Sequence, residues 1–400
     1  MSTTTTSPNE KSLSKISQRL RFNTQTYGLI LALIVIWVFF FIVTKGLYLS
    51  PQNFSNLFRQ MTITAILSVG MVLVIVALHI DLSVGKLAGF VSVVVAYLQA
   101  YTWHTLMPDA SPVLTTILSI LAGLAVGTLY GVAQGYIIAY LRVPAFIVTL
   151  GSMWILNGLI LIQTAGKTIP ANQPLYSQIA QGYLSPTLGW IFAAVVGVLM
   201  FVLMFNGRRK KAQYGFALAP IGLDLLKTVF FVALLFGYVF YVNKYSGVQN
   251  PVLLLAIIVV IVTYVSNNTK FGRYIYAIGG NREAARLSGI NVPNNTFTIF
   301  ILMGFLCGVS GIVMASYVGY GTIAAGNGYE LFAIAACFLG GTSTLGGEGT
   351  IVGAMIGALI MASLTNGLQI MNVPAAWQYV LSGMVLVVAV MIDVRMKQNR

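Results

Sequence analysis

Charge is what this chain has least of. Asp, Glu, Lys and Arg together make up 8% of its 400 residues, against ~25% in an average soluble domain. A water-soluble chain of this length covers its surface with charge. This shortage excludes a soluble enzyme, a nucleic-acid binder and a disordered scaffold. Acidic residues are scarcest, 8 against 22 basic ones, which leaves a net charge of +14. Cysteine occurs twice, as Cys307 and Cys337, and both lie inside apolar runs, so there is no disulfide framework. Histidine also occurs twice, as His79 and His104, with no cluster at ligand spacing, so no metal site is expected.

Enzymatic chemistry is missing too. A phosphate-binding loop needs Gly, four residues, then Gly-Lys-Ser/Thr, so that backbone amides cradle phosphate. Gly166-Lys167-Thr168 is the near match, but the position of the first glycine holds Leu161. No Ser-His-Asp or metal-hydrolase pattern stands out, so neither catalysis nor a cofactor is expected. Directional work by this chain would draw on a gradient or on another subunit.

What is abundant is apolar sequence, 58% of the chain. A bilayer core needs ~20 apolar residues per helix. Twelve candidate runs recur: 27–43, 61–78, 87–107, 113–141, 145–164, 188–205, 226–242, 252–266, 297–317, a short one at 329–339, 351–370 and 377–392. The expectation is an all-α polytopic membrane protein of about 10–12 crossings. Residues 1–26 read as a cytoplasmic tail, 27–394 as one transmembrane domain and 395–400 as a second short tail. No small-residue cleavage site follows the first apolar run, which argues against a removed signal. With the N-terminus inside and twelve crossings, 17 basic residues fall inside, Lys86 among them. Four fall outside (Lys45, Arg59, Lys167 and Lys244), and Lys227 sits at a helix end. That bias predicts both termini inside.

Glycine is plentiful, with 40 copies, and Gly123, Gly127, Gly131 and Gly135 form a ladder at four-residue spacing. Gly304 and Gly308 repeat the spacing, as do Gly353 and Gly357. Small residues on one face let helix backbones approach closely. Two stretches do not read as helix interior: 79–85, containing Asp81, Ser83 and Gly85, and 340–349, containing Thr342 and Ser343. Broken or re-entrant helices are tolerated where protein or water covers their backbone. Their placement in the two halves hints at an internal repeat; short cytoplasmic turns are the alternative. The carboxylates Asp81, Asp224, Glu330, Glu348 and Asp393 all fall near helix ends, where water is expected to reach them. Asp224 lies three residues before Lys227, the spacing of a local ion pair.

The segment 269–293 is the longest polar stretch after the N-terminal tail. Glu283-Ala284-Ala285 followed by Gly289 spells E-A-A-x-x-x-G. Its residues favour a helix, with Asn281 as N-cap and Gly289 as a left-handed C-terminal stop. Flanked by Gly279-Gly280, such a helix suits docking into a partner's groove; an ordinary surface helix is the alternative.

On this loop the chain resembles the permeases of bacterial ABC importers, in the group that carries ribose, xylose, arabinose and galactose. Three further stretches carry the likeness: IDLSVG at 80–85, AIAACFLGGTSTLGGEGTIVGAMIGALIMASLTNGL at 333–368 and VPAAWQYVLSG at 373–383. The added material at 206–250 resembles the longer xylose type. The general I-x-L-P ending of the loop is absent. The resemblance implies a type II importer-like fold with broken helices in the bacterial inner membrane. It also implies a second permease copy, a periplasmic sugar-binding protein and an ABC ATPase with two nucleotide-binding domains. Gly279, Gly280, Asn281, Glu283, Ala284, Ala285 and Gly289 would couple to that ATPase. For the path itself, Gln134, Asn157, Asn366 and Gln369 are candidates alongside the broken stretches, and interhelical hydrogen bonding is the plainer role for each. An ion-coupled secondary transporter would need carboxylates near the midplane, and a passive channel would have no use for the E-A-A-x-x-x-G helix.

Overall fold

The computed structural model describes residues 24–398. Lys11, Lys15, Arg19, Arg21 and Arg400 lie outside the described residues, as does the Asp393 side chain.

The chain is a helical bundle. Its elements are α1 (Thr24–Val43), α2 (Pro51–Val76), α3 (Val84–Tyr97, continued through a π turn to Leu106), α4 (Pro112–Ala139), α5 (Ala145–Thr164), α6 (Pro174–Gln181), α7 (Pro186–Gln213) and α8 (Ile221–Val242). Then follow α9 (Asn250–Asn268), α10 (Lys270–Gly280), α11 (Arg282–Leu287), α12 (Val292–Val318), α13 (Tyr329–Leu339), α14 (Ile351–Ile370) and α15 (Ala375–Gln398). Two short strands, β1 (Ile169–Pro170) and β2 (Tyr320–Gly321), pair antiparallel at one end. Among the described residues, nine helices are long and apolar enough to cross a membrane, and three shorter apolar helices, Gly28–Val43, Tyr329–Leu339 and Ala375–Val388, join them. Apolar runs in lipid fold as helices because every backbone N–H and C=O must be bonded internally. Ser-Pro dipeptides start α2, α4 and α7: Pro presets the first turn, and Ser50, Ser111 and Ser185 each accept an orphan N–H.

Burial sorts the bundle. Of the apolar stretch of α2, 89% of the residues are buried, whereas in α7 and α8 the share is 17%. So α2 is the inner post, packed by α12, α13, α14 and α9. The α7–α8 hairpin is a peripheral unit with its own small core of Ala193, Val239, Val242 and Val248. The glycine ladder performs as its spacing predicts. A Cβ on Gly127 would lie 2.5 Å from the Gly304 carbonyl oxygen and 2.8 Å from the Gly308 backbone. Thus α4 and α12 touch backbone to backbone.

The broken helices form an inverted pair. After α2 the chain unwinds over 77–83, and α3 starts partway back. After α12 it unwinds over 319–328, and α13 starts partway back. The two N-terminal ends meet: a Cβ on Gly85 would strike the Gly326 carbonyl, and one on Gly326 would strike the Gly85 carbonyl. From there α3 runs toward the end where β2 lies and α13 toward the end that carries α10. This is the arrangement of inverted-topology repeats. The counterpart of 79–85 is therefore 319–328, not 340–349, which instead links α13 to α14.

Three charge assignments change. Asp224 pairs with Arg208 across the α7–α8 hairpin rather than with Lys227, because Arg208 also reaches the Ala219 carbonyl at 3.0 Å and is fixed there. Asp81 is 3% exposed, so water does not reach it. Lys86 lies in the first turn of α3 at 8% exposure and interacts with Glu330, rather than sitting in an open loop.

Candidate coupling face and membrane pathway

One end of the bundle gathers the glycine-rich loop and the E-A-A-x-x-x-G helix. Thr269 caps α10, its hydroxyl accepting from the Gly272 amide at 3.2 Å. Asn281 then ends α10 and caps α11, its Oδ1 accepting from the Ala284 amide at 2.9 Å. Gly289 follows with φ +82°, a left-handed conformation that favours glycine. Ala285 is buried against Ile278 of α10 and Val292 of α12, so the three helices share one small core. Glu283 and Arg286 pair on the solvent face, and this hydrogen bond holds the Glu283 carboxyl below its ordinary value. Leu287, 76% exposed, projects from the tip.

The other end of α10 is seated in glycine. A Cβ on Gly279 would strike the Val76 carbonyl at the end of α2 and meet the Gly347 amide. Gly346 and Gly347, at φ +74° and +72°, turn the 340–349 loop under it. The Ser343 amide donates to the Glu348 carbonyl at 2.8 Å, and Tyr276 donates to the Gly349 carbonyl at 2.8 Å. An open cleft of about 440 Å³ lies between Gly280, Leu345 and Glu348. Burial and the nearby Arg282 charge hold the His79 imidazole down at about 4, so it is neutral at neutral pH. The seven coupling residues inferred from sequence thus come together, with the 340–349 loop beneath them.

The inferred pathway residues divide. Asp81, Ser83 and Gln134 form one buried network: the Asp81 carboxylate accepts from the Ser83 amide at 2.8 Å, the Ser83 hydroxyl at 2.6 Å and Gln134 Nε2 at 3.4 Å. This network clamps the break before Gly85. Thr342 and Ser343 are buried in the loop that turns under α10. Asn157 is half-buried on α5 and joins neither group. Gln369 lines a different place, a cavity of about 250 Å³ between α2, α13, α14 and α15, and Asn366 stands behind it, donating to Gln60. Gln60, Asn327, Tyr329, Thr365 and Tyr379 also line it, and sequence reading missed all five. Gln60 left a signal, a carboxamide beside Arg59 at the start of the apolar run of α2. The others come from separate segments that no spacing rule connects.

The chain matches, over residues 53–390, the family described as branched-chain amino acid transport system / permease component. It is 40% identical over 378 residues to the xylose transport system permease protein of Haemophilus influenzae, an alignment covering 94% of this chain and 98% of that relative. It is 41% identical over 382 residues to the protein of the same description from Escherichia coli K12, covering 94% and 93%. To the ribose import permease protein of Escherichia coli K12 it is 33% identical over 346 residues, covering 86% and 87%. No solved structure matches it.

Proposed function

This chain belongs to the family of branched-chain amino acid transport system permease components, and on that premise we propose that it is the membrane permease of an ATP-driven sugar importer, with D-xylose as its substrate. The full-length likeness to two xylose permeases supports the sugar. In this reading the chain spans the bacterial inner membrane with both termini cytoplasmic and works as a homodimer. A periplasmic binding protein delivers sugar to one face, and an ABC ATPase with two nucleotide-binding domains docks at the other.

One observation carries the coupling role: a capped, rigid helix, Arg282–Leu287, stands exposed on a unit whose base is wedged between the end of α2 and the 340–349 loop. ATP-driven movement of the ATPase would push on α11, and α10 would pass the push to α2 and α13 without slack. The permease hydrolyses nothing itself; it converts that push into alternating access. Ribose, arabinose and galactose are the competing substrates.

Uptake in vesicles is the test. Vanadate-sensitive D-xylose uptake that needs both the ATPase and the binding protein is expected. Uptake by this chain alone, collapsed by a protonophore, would instead mark an ion-coupled secondary transporter. Gly289→Pro removes an amide that donates to the Arg286 carbonyl at 3.0 Å and forbids the left-handed φ. Together with Glu283→Arg it should leave ATP hydrolysis uncoupled from transport; normal xylose uptake by both variants would sink the docking role.

A further inference from the structure

We propose that the cavity between α2, α13, α14 and α15 is a binding site for a neutral monosaccharide within the permease itself. This deepens the importer reading and rests on it, because it gives the membrane subunit a selective step of its own.

Three observations converge. The first is charge: no Asp, Glu, Lys, Arg or His lines the cavity. A zwitterionic amino acid or an anionic solute would find no opposite charge to pair with there. The family description names amino acids, and this cavity is built for something uncharged.

The second is a directed relay of carboxamides. Asn53 donates to Asn366 Oδ1 at 2.9 Å, Asn366 donates to Gln60 Oε1 at 3.4 Å, and Gln60 donates to Gln369 Oε1 at 3.0 Å. Each bond polarises the next. The relay ends at the amide nitrogen of Gln369, a solvent-exposed residue of the cavity lining whose amide has no protein partner among the described residues. A strengthened donor without an acceptor suits the hydroxyl oxygen of a sugar.

The third is shape. At about 250 Å³ the cavity falls below the ~300–1,000 Å³ of drug-sized pockets, so a single small solute fits. Tyr329 on one wall and Tyr379 on another supply ring faces for sugar C–H groups. Tyr329 also opens α13 beside Asn327, next to the Gly85–Gly326 contact. Occupancy is therefore felt where the two broken helices meet.

The test uses the complete complex with its ATPase and binding protein. Asn327 is exposed, and Cys307 and Cys337 are buried, so an Asn327→Cys variant offers one accessible thiol among the described residues to a polar maleimide. D-xylose should slow labelling about tenfold, and L-leucine should not. Gln369→Leu should raise the KM for xylose about tenfold, ~1.4 kcal/mol, and more than it lowers kcat. Labelling unaffected by D-xylose, D-ribose and L-arabinose, while the unsubstituted complex imports sugar, overturns the site and leaves the importer standing. Protection by leucine in place of sugar overturns it as well. An unsubstituted complex that imports no sugar removes the importer reading and the site with it.

Discussion

The Gly347 amide donates to the Val76 carbonyl across 2.9 Å, and Gly279 packs beside that same carbonyl. A loop, a helix end and the base of the coupling unit therefore share one oxygen atom. Gly279→Ala is expected to break this seat, because its Cβ would land on the carbonyl. The overpacking should cost ~1–3 kcal/mol, outweighing the better helix propensity of Ala. Gly280→Ala is the control, since its Cβ meets open space. Thermal melting and coupled uptake should both fall for the first variant and hold for the second.

Asp81 accepts three hydrogen bonds in the break before α3. Asp81→Ala should cost ~1–3 kcal/mol, because the Ser83 amide and Gln134 lose a buried acceptor. Gln134→Leu removes the longest of the three and should cost less. A ranking in which Gln134→Leu is the more damaging by melting temperature would show that the network is not centred on the carboxylate.

Gly127 faces Gly304 and Gly308 across the α4–α12 seam. Gly127→Val should force the backbones apart and lower the yield of folded protein in the membrane several-fold. Gly151→Val, whose Cβ meets nothing within 4 Å, should express at the normal level. Equal yields would contradict the close seam.

Arg208 and Asp224 join the two helices of the α7–α8 hairpin beside its connecting turn. Asp224→Asn should cost ~0–1 kcal/mol, as for a part-exposed pair, and that cost should grow as salt is removed. Lys227→Met should change stability by less, since Asp224 does not pair with it. A double-mutant cycle that couples Asp224 to Lys227 rather than to Arg208 would reverse this.

Much of this architecture was readable from residue order. Ala145–Thr164 and Ile351–Ile370 match their apolar runs end to end, because lipid imposes both the length and the helix. The α11 caps were legible because Asn281 and Gly289 act on neighbours three or four residues away. The partner of Asp224 was not, since Arg208 reaches it through the fold of a hairpin and not along one helix. The repeat was misaligned for a related reason. Inversion keeps backbone shape and glycine at the close approach, as in Gly85 and Gly326, but not the residues between. The cavity was hidden because its lining is drawn from four helices and a loop.

At Gly85 and Gly326 the two broken helices abut main chain against main chain, with the Glu330 carboxylate packed beside Gly85. Main chain has no rotamers with which to absorb displacement. A rotation of one half is geared directly to the other, and the permease is left with one degree of freedom where two independent halves would have two. A molecule built this way trades the freedom to adapt for synchrony: its two faces keep time with each other.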